Sequence, residues 1–218
     1  MTYRLLVFDW DGTVMDSVGT IVTCAEATLE TLGLESPPED HLRGAIGLGL
    51  RETVEHLQPG CDEATAERIV ETYRELWLST YRFHPSPFPA AEAVLTELAE
   101  RDYLLAVATG KSRRGLDRDL AATGFERFFH ASRTPDESHT KPHPHMLLEL
   151  LDELGATAGE TLMIGDSRWD LEMARSAGTE ALGVTSGSEP EASLKRFAPV
   201  ACLAGIGDLP EWLSEVSR

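Results

Sequence analysis

Short apolar runs that each end at a polar loop constrain the fold of this chain more than any other feature. Four runs have this form: 5–8, 103–108, 128–131 and 161–164. Helix-like segments with apolar residues at helical spacing follow them and end before Gly124, Gly155 and Gly178. Alternating strands and helices predict an α/β fold with a parallel sheet covered by helices on both faces. The polar loops would then gather at one edge of the sheet, where such folds bind ligands.

The stretch from about residue 16 to residue 82 has a different pattern. Apolar residues recur there at helical spacing, and no strand pattern interrupts them. These positions are Ile21, Ala25, Leu29, Leu32, Ile69, Tyr73, Leu76 and Trp77. Three prolines, Pro85, Pro87 and Pro89, mark the exit from the helical stretch. We therefore predict a core domain of residues 1–15 and 83–218 and a helical cap domain of residues 16–82.

The charge balance excludes some partners. With 37 acidic and 19 basic residues among 218, the chain has a formal net charge of −18. Such a surface repels nucleic acid polymers and anionic membranes. Three widely spaced cysteines without a CxxC motif predict reduced thiols, and the absence of a signal-peptide pattern or a long apolar run predicts a cytoplasmic location. A phosphate ligand would have to be neutralised locally by a cation and a few basic residues.

Two carboxylates directly follow the first run. Asp9 and Asp11 stand two residues apart, before Gly12, so both can reach a phosphoryl group and a divalent cation. Asp9 suits the role of nucleophile and Mg²⁺ ligand, whereas Asp11 suits proton transfer to the leaving oxygen and from water, with its backbone carbonyl on Mg²⁺. A solvated turn explains this tetrapeptide alone about as well. Further polar residues later in the chain favour one converging site.

The complete set of motifs resembles that of the haloacid dehalogenase superfamily of phosphohydrolases. The motifs are Asp-Trp-Asp-Gly-Thr at 9–13, a strand-ending Thr109, Lys141 in Thr-Lys-Pro, and Gly-Asp-Ser-Arg-Trp-Asp at 165–170. They occur in the family's order and span nearly the whole chain. The chain is most similar to the phosphoglycolate phosphatase and β-phosphoglucomutase branch, which inserts a helical cap directly after the first motif. The resemblance implies a Rossmann-like core with that cap.

The resemblance also implies roles for individual residues. Thr109 would hydrogen-bond a phosphoryl oxygen beside the Gly110 amide, and Lys141 would neutralise charge between the nucleophile and the phosphoryl group. Asp166 would complete the Mg²⁺ ligands with Asp9 and Asp11. Further assignments concern the surroundings of these groups: Thr13 and Gly110 bind substrate, and Asp170 orients metal-bound water or Lys141, although a helix N-terminal charge explains Asp170 nearly as well.

Three features are open to more than one interpretation. The segment 43–50 resembles the family's cap loop, in which Arg43 would bind a substrate carboxylate or phosphate; a glycine-rich turn with a solvated Arg43 is equally compatible. The second motif reads Thr-Gly-Lys, whereas the family often has Ser or Thr followed by Asn. Lys111 could add a positive charge there, but we favour its interpretation as a solvated surface lysine. His139, His143 and His145 flank Lys141, but without nearby cysteines, and the oxygen-rich motifs favour Mg²⁺ over zinc. His143 could instead contact the edge of the active site, since it follows Lys141 by two residues.

These features predict a Mg²⁺-dependent phosphatase that hydrolyses a small-molecule phosphate ester through a phosphoaspartate, with phosphoglycolate the nearest candidate substrate. A phosphomutase of the same branch remains an alternative. A dehalogenase would not need Asp11, and a phosphonatase would need a cap lysine, which residues 16–82 lack. From other classes, a phosphorylation-switch receiver domain or a non-catalytic binding protein remain alternatives. The sequence does not distinguish a monomer from a homodimer.

Overall fold

The computed structural model describes residues 3–83 and 85–216. The first part of the chain forms β1 (Leu5–Phe8), β2 (Met15–Asp16), α1 (Val18–Thr31), α2 (Glu39–Arg43), α3 (Leu50–Leu57), α4 (Glu63–Leu76) and a π-helical turn (Trp77–Tyr81). The second part forms β3 (Ser86–Pro87), α5 (Ala91–Glu100), β4 (Leu104–Ala108), α6 (Arg113–Thr123), β5 (Ala131–Arg133), α7 (His145–Leu154), β6 (Thr161–Gly165), α8 (Arg168–Ala177), β7 (Glu180–Val184), α9 (Glu191–Leu194), β8 (Ala201–Leu203) and α10 (Leu209–Val216).

Among the described residues, six strands form one parallel sheet in the order β5-β4-β1-β6-β7-β8. Strand β1 lies in the middle, with Phe8 level with Val107 of β4 and Ile164 of β6. The chain builds the sheet outwards from β1 in one direction and then from β6 in the other. The boundary between β1 and β6 is therefore the switch point at which parallel sheets form a ligand crevice.

The apolar residues of β1 alternate between two cores. Leu6 and Phe8 pack with α5, α6 and α10 on one face of the sheet. Leu5 and Val7 pack with α7 and α8 on the other face. All four are fully buried, which explains why the strand is a continuous apolar run. The predicted parallel sheet with helices on both faces is confirmed.

The helices between β2 and β3 enclose a third core of their own. Its buried residues include Val22, Leu29, Leu42, Val54 and Ile69. The short antiparallel pair of β2 with β3 joins this inserted helical region to the sheet, with Met15 opposite Pro87. The fold thus contains the inserted helical region that the motifs predicted.

The structure differs from the sequence prediction in the strands outside the centre of the sheet. Residues Phe125–Phe128 form a 3₁₀ helix and β5 begins at Ala131, so the strand predicted at 128–131 is present but its bounds were wrong. Phe125 and Phe128 are nevertheless buried, because aromatic residues fill the core from the helix as well as from a strand. Strands β7 and β8 were not predicted. Within the described residues, no helix is both long enough and apolar enough to cross a membrane.

Candidate active site

The residues that follow β1, β4 and β6 meet at the carboxyl edge of the sheet. Asp9, Thr109 and Asp166 each follow directly from one of these strands, and each is buried. The neighbouring strands β1 and β6 flank the switch point, which places Asp9 and Asp166 on its two sides. The convergence expected from the polar ends of the apolar runs is present.

Lys141 lies between two of the buried carboxylates. Its Nζ atom is 2.9 Å from Asp9 Oδ1 and donates a 2.6 Å hydrogen bond to Asp170 Oδ1. Burial opposes the charge on this lysine, but the carboxylates of Asp170 and Asp9 outweigh it and raise the pKa of Lys141 to about 12. Lys141 is therefore a fixed positive charge beside the predicted nucleophile.

Asp170 holds Lys141 and also begins α8. Its Oδ2 atom accepts hydrogen bonds from the amide and hydroxyl of Ser167, at 3.1 Å and 2.6 Å, in a capping box. Asp170 thus contacts Lys141 and also provides the acidic side chain at the N-terminus of α8. Because its Oδ1 atom is used by Lys141, Asp170 positions that lysine from a rigid helix terminus.

The second oxygen of Asp9 lacks a partner. Oδ1 accepts a 2.6 Å hydrogen bond from the Trp10 amide, whereas Oδ2 is buried and accepts none from any described residue. Burial raises the pKa of Asp9 well above its usual value, and Lys141 offsets this only in part. A cation bound at Oδ2 would stabilise the charged form of the Asp9 carboxylate.

The donor set fits a hard divalent cation. Asp9, Asp166 and Asp170 each offer a carboxylate oxygen, and these oxygens lie within 4.8 Å of one another. Burial, together with the neighbouring Asp170, raises the pKa of Asp166 to about 6. Three buried carboxylates with one positive charge, that of Lys141, leave negative charge uncompensated. An oxygen-only set of this kind suits Mg²⁺ better than zinc.

A loop after β7 holds Asp166 in place. The Ser188 amide donates a 2.7 Å hydrogen bond to Asp166 Oδ2, and Thr13 Oγ1 donates a 3.0 Å bond to Oδ1. A Cβ atom on Gly187 would lie 2.1 Å from Asp166 Oδ2, so only glycine fits there. Thr13, expected to bind substrate, therefore contacts the carboxylate of Asp166.

Replacing Gly187 by Ala is expected to lower the apparent Mg²⁺ affinity by about 10- to 100-fold, because the added methyl group displaces the Asp166 carboxylate. Mg²⁺ titration of phosphate release, with calorimetric titration of the protein alone, measures the effect. Gly205→Ala is the matched control, since its Cβ would lie at an ordinary 3.7 Å from Ser186. Equal affinities for the two variants would contradict the prediction.

Lys111 is not a solvated surface lysine, and that interpretation was wrong. Its side chain is 10% exposed, and Nζ lies 3.0 Å from both oxygens of Asp11 and 3.2 Å from Asp119. Burial opposes its charge, but the two carboxylates raise its pKa. The indole of buried Trp10 also donates to Asp119, at 3.2 Å, which orients that carboxylate. Because Lys111 follows β4 by three residues, it lies at the same sheet edge as Asp11.

The side chain of Asp11 is held away from the three-carboxylate cluster. One of its oxygens accepts a 2.7 Å hydrogen bond from Ser17 Oγ, in addition to the contacts with Lys111. Asp11 lines the same cavity as Asp9. This places a paired carboxylate at the wall of the cavity.

Gly110 is packed directly beneath the cap loop. A Cβ atom there would lie 2.4 Å from the Leu48 carbonyl oxygen and 2.5 Å from that of Gly47. An asparagine, which the family often has at this position, would therefore collide with the loop. The Gly49 amide donates a 2.9 Å hydrogen bond to Thr140 Oγ1, next to Lys141. The departure from the family pattern at Gly110 thus allows the close approach of the cap.

Arg43 contacts the core domain rather than the cavity. Its guanidinium donates to the carbonyl oxygens of Gly187, at 2.8 Å, and Ser188, at 3.4 Å. Arg43 is absent from the residues that line the cavity beside Asp9. It therefore joins the cap to the loop that holds Asp166, a contact that neither sequence-based interpretation anticipated.

Replacing Arg43 by Ala is expected to lower kcat/KM by about fivefold for every ester, because about 1 kcal/mol of charge-assisted hydrogen bonding to the Asp166 loop is lost. Kinetics on one ester with a carboxylate and one without measure the effect. A rise in KM confined to the carboxylate ester would instead support direct substrate binding by Arg43.

The three histidines near Lys141 pack against one another. Ring centroids are 4.4 Å apart for His139 and His143, 5.1 Å for His139 and His145, and 6.0 Å for His143 and His145. None of the three lines the cavity beside Asp9. The contact of His143 with the site, suggested by its spacing from Lys141, is not observed.

The loop after β7 was not predicted as part of the site. Residues 181–184 are apolar and are followed by Thr-Ser-Gly-Ser, which is the same pattern of a strand and a polar loop that located the other site residues. Applying that rule here would have found Gly187 and Ser188. The partnership of Lys111 with Asp11 and Asp119 has no comparable signal, because it depends on how α6 packs.

A parallel α/β sheet with a buried aspartate and lysine at its carboxyl edge, beneath an inserted helical region, defines the class of capped α/β phosphatases. The chain belongs to the haloacid dehalogenase-like hydrolases, whose family model matches residues 6–184. The resemblance inferred from the motifs is thereby confirmed, and the protein is an enzyme of that family.

The chain is similar in sequence or in fold to several proteins that are described as hydrolases or phosphatases. Pyrophosphatase PpaX from Oceanobacillus iheyensis is 30% identical over 210 residues, with 96% of each chain covered. The structure of a hydrolase from Pseudomonas syringae matches with a TM-score of 0.88 at 24% identity, over 98% of this chain and 99% of that one. A predicted phosphoglycolate phosphatase from Haemophilus somnus matches with a TM-score of 0.84 at 21% identity, over 100% and 99% of the two chains.

Proposed function

We propose that this protein is a Mg²⁺-dependent phosphatase that hydrolyses a small-molecule phosphate ester through a phosphoaspartate on Asp9. The observation that carries the proposal is the buried Asp9 carboxylate, which has Lys141 2.9 Å from one oxygen and an unpartnered second oxygen. A buried acceptor of this kind is costly unless a cation or a reacting group satisfies it. In the proposed division, residues 1–15 and 83–218 form the catalytic core and residues 16–82 form the cap.

The proposed metal ligands are the carboxylates of Asp9 and Asp166 and the backbone carbonyl of Asp11. Bound Mg²⁺ would neutralise negative charge on the phosphoryl oxygens. We place Asp170 outside this set, because its Oδ1 atom pairs with the charged Nζ of Lys141 at 2.6 Å, whereas the partners of Asp166 are the neutral groups of Thr13 and Ser188. The role of Asp170 is to orient Lys141.

In the proposed reaction, the Asp9 carboxylate attacks phosphorus while the bond to the leaving oxygen breaks, and Asp11 gives that oxygen a proton. Water then attacks the phosphoaspartate, Asp11 takes its proton, and phosphate leaves with Asp9 restored. Lys141 offsets the charge on the phosphoryl oxygens, and Thr109 with the Gly110 amide hydrogen-bonds one of them. Thr109 and Gly110 line the cavity beside Asp9, which supports this role.

Proton transfer to and from Asp11 requires its contacts to be adjustable. Lys111 and Ser17 hold the carboxylate in this structure, and Lys111 Nζ also lies 5.3 Å from the ring centre of Trp77 in the helical region. A change in cap position would move Trp77 relative to Lys111. Lys111 therefore contacts both the cap, through Trp77, and the proposed proton donor Asp11.

Two substrates have specific support. Phosphoglycolate follows from the resemblance of the motifs and from the description of the Haemophilus somnus protein. Pyrophosphate follows from the curated relatives, which are named pyrophosphatases and are 26–30% identical across 96–100% of this chain. A phosphomutase, which would pass the phosphoryl group from Asp9 to a sugar hydroxyl, remains the alternative.

Phosphate release from a panel of compounds, with and without Mg²⁺, tests the proposal. The panel contains phosphoglycolate, pyrophosphate, hexose phosphates and nucleoside monophosphates. Mg²⁺-dependent release that is lost in Asp9→Asn supports the phosphatase, and the preferred compound identifies the substrate. Conversion of β-glucose 1-phosphate to glucose 6-phosphate without phosphate release would favour the mutase. A stable phosphoprotein without turnover would favour a phosphorylation-switch protein.

A further inference from the structure

The cavity beside Asp9 extends far beyond the space that one phosphoryl group needs. It has a volume of about 670 Å³ and continues from Asp9 and Thr109 between the helical region and α6. Cavities of this size hold complete small-molecule ligands. Whatever distinguishes one substrate from another must contact the remaining walls of the cavity.

Positive charge is concentrated in those walls. Five of the 19 basic residues of the chain line the cavity, although the protein as a whole has a net charge of −18. They are Arg51, Arg74, Lys111, Arg114 and Arg118. Four acidic residues, Asp9, Asp11, Glu52 and Asp136, also line the cavity, so its formal charge is +1, whereas that of the whole chain is −18.

Two of the five have protein partners. Arg51 forms an ion pair with Glu63, and Lys111 pairs with Asp11 and Asp119. The acidic cavity residue Asp136 is likewise engaged, because its Oδ2 atom accepts a 2.8 Å hydrogen bond from the Arg113 amide. The charges of Arg51 and Lys111 are neutralised by these carboxylates and leave little charge for a ligand.

Arg74, Arg114 and Arg118 differ in this respect. None of them forms an ion pair or a side-chain hydrogen bond with any residue in the ranges 3–83 and 85–216. The chain contains 37 acidic residues, so carboxylate partners are plentiful elsewhere on its surface. Three arginines without partners around one cavity are available to bind an anion from solution.

The three arginines face the same space from two sides. Arg114 and Arg118 are four residues apart and therefore project from one face of α6. Arg74 lies in the last turn of α4, three residues before Trp77, whose ring contacts Lys111 across the cavity wall. The end of α4 and the start of α6 are thereby brought together.

We propose that Arg74, Arg114 and Arg118 form a subsite for a second anionic group of the substrate, a carboxylate or a phosphate, while Asp9 receives the phosphoryl group that is transferred. The assignment of Asp9 as the residue that receives the transferred phosphoryl group rests on the proposed function. Guanidinium groups bind both kinds of anion through paired hydrogen bonds. The substrate class is therefore a phosphate compound with two separate anionic groups.

Kinetics on matched ester pairs test the subsite. Phosphoglycolate is compared with its neutral amide, propane-1,3-diol bisphosphate with 3-hydroxypropyl phosphate, and p-nitrophenyl phosphate serves as a reference without a second anion. The double variant Arg114→Gln/Arg118→Gln should raise KM for the compounds with two anionic groups by roughly fivefold per arginine. For the reference compound the change should stay below about twofold, and added salt should weaken only the affected compounds. The two pairs distinguish a carboxylate from a phosphate.

Arg68→Gln is the matched control. Arg68 is an exposed arginine on α4, as Arg74 is, but it does not line the cavity. Its replacement removes an arginine charge from α4 without changing the lining of the cavity, and it should leave all KM values unchanged. An equal loss in Arg68→Gln, or an equal loss for compounds with and without the second anion, would overturn the subsite.

A binding measurement separates failure of the subsite from failure of the proposed function. Calorimetry with propane-1,3-diol bisphosphate and the Asp9→Asn protein requires no turnover. Weaker binding after Arg114→Gln/Arg118→Gln supports the subsite even if the wild type hydrolyses nothing. Unchanged binding overturns it even if Asp9-dependent hydrolysis is observed.

Discussion

The Asp9→Asn protein is expected to release phosphate at least about 10⁴-fold more slowly than the wild type and to retain its fold. An amide does not form the acyl phosphate, so the proposed two-step route is lost. The fold should persist because Asn keeps the size of Asp and its oxygen can still accept from the Trp10 amide and Lys141. Removal of a buried charge also lowers a desolvation cost.

Phosphate release, trapping of labelled phosphate on the protein and thermal unfolding together measure this effect. Asp152→Asn, which changes an exposed aspartate on α7, is the control for the removal of one carboxylate. Turnover retained in Asp9→Asn would exclude Asp9 as the nucleophile. Loss of turnover together with loss of the fold would assign Asp9 a structural role.

The Lys141→Met protein is expected to lose both activity and stability. Lys141 is 1% exposed and pairs with Asp9 and Asp170, so its removal leaves two buried carboxylates without a counterion. Breaking a buried pair from one side costs about 3–5 kcal/mol of the free energy of unfolding. Urea denaturation of the metal-free protein measures that cost, and phosphate release measures the activity.

Two further variants isolate the cause. Lys195→Met removes an exposed lysine that pairs with Glu191, and its unfolding transition should coincide with that of the wild type. Adding Asp170→Asn to Lys141→Met removes one unpaired carboxylate and should restore part of the stability without restoring activity. If Lys141→Met is as stable as the wild type, the buried pairs contribute nothing net to folding.

The central sheet could be predicted because its signals are local. The run at 5–8 is apolar on both faces, and a strand buried on both faces requires that composition. The peripheral strands gave weaker signals. At 128–131 the aromatic residues predicted a strand, but Phe128 belongs to a 3₁₀ helix that fills the same core, and hydrophobicity alone does not distinguish the two.

The sequence by itself determined the parallel sheet, the helical insertion and the meeting of Asp9, Thr109 and Asp166 at one edge. It could do so because strand direction carries every strand-ending residue to the same side of a parallel sheet. Only the tertiary structure decided the partners of Lys111 and Arg43. Their long side chains reach carboxylates and carbonyl oxygens that lie 100 and about 145 residues away in the chain, and no local pattern encodes such contacts.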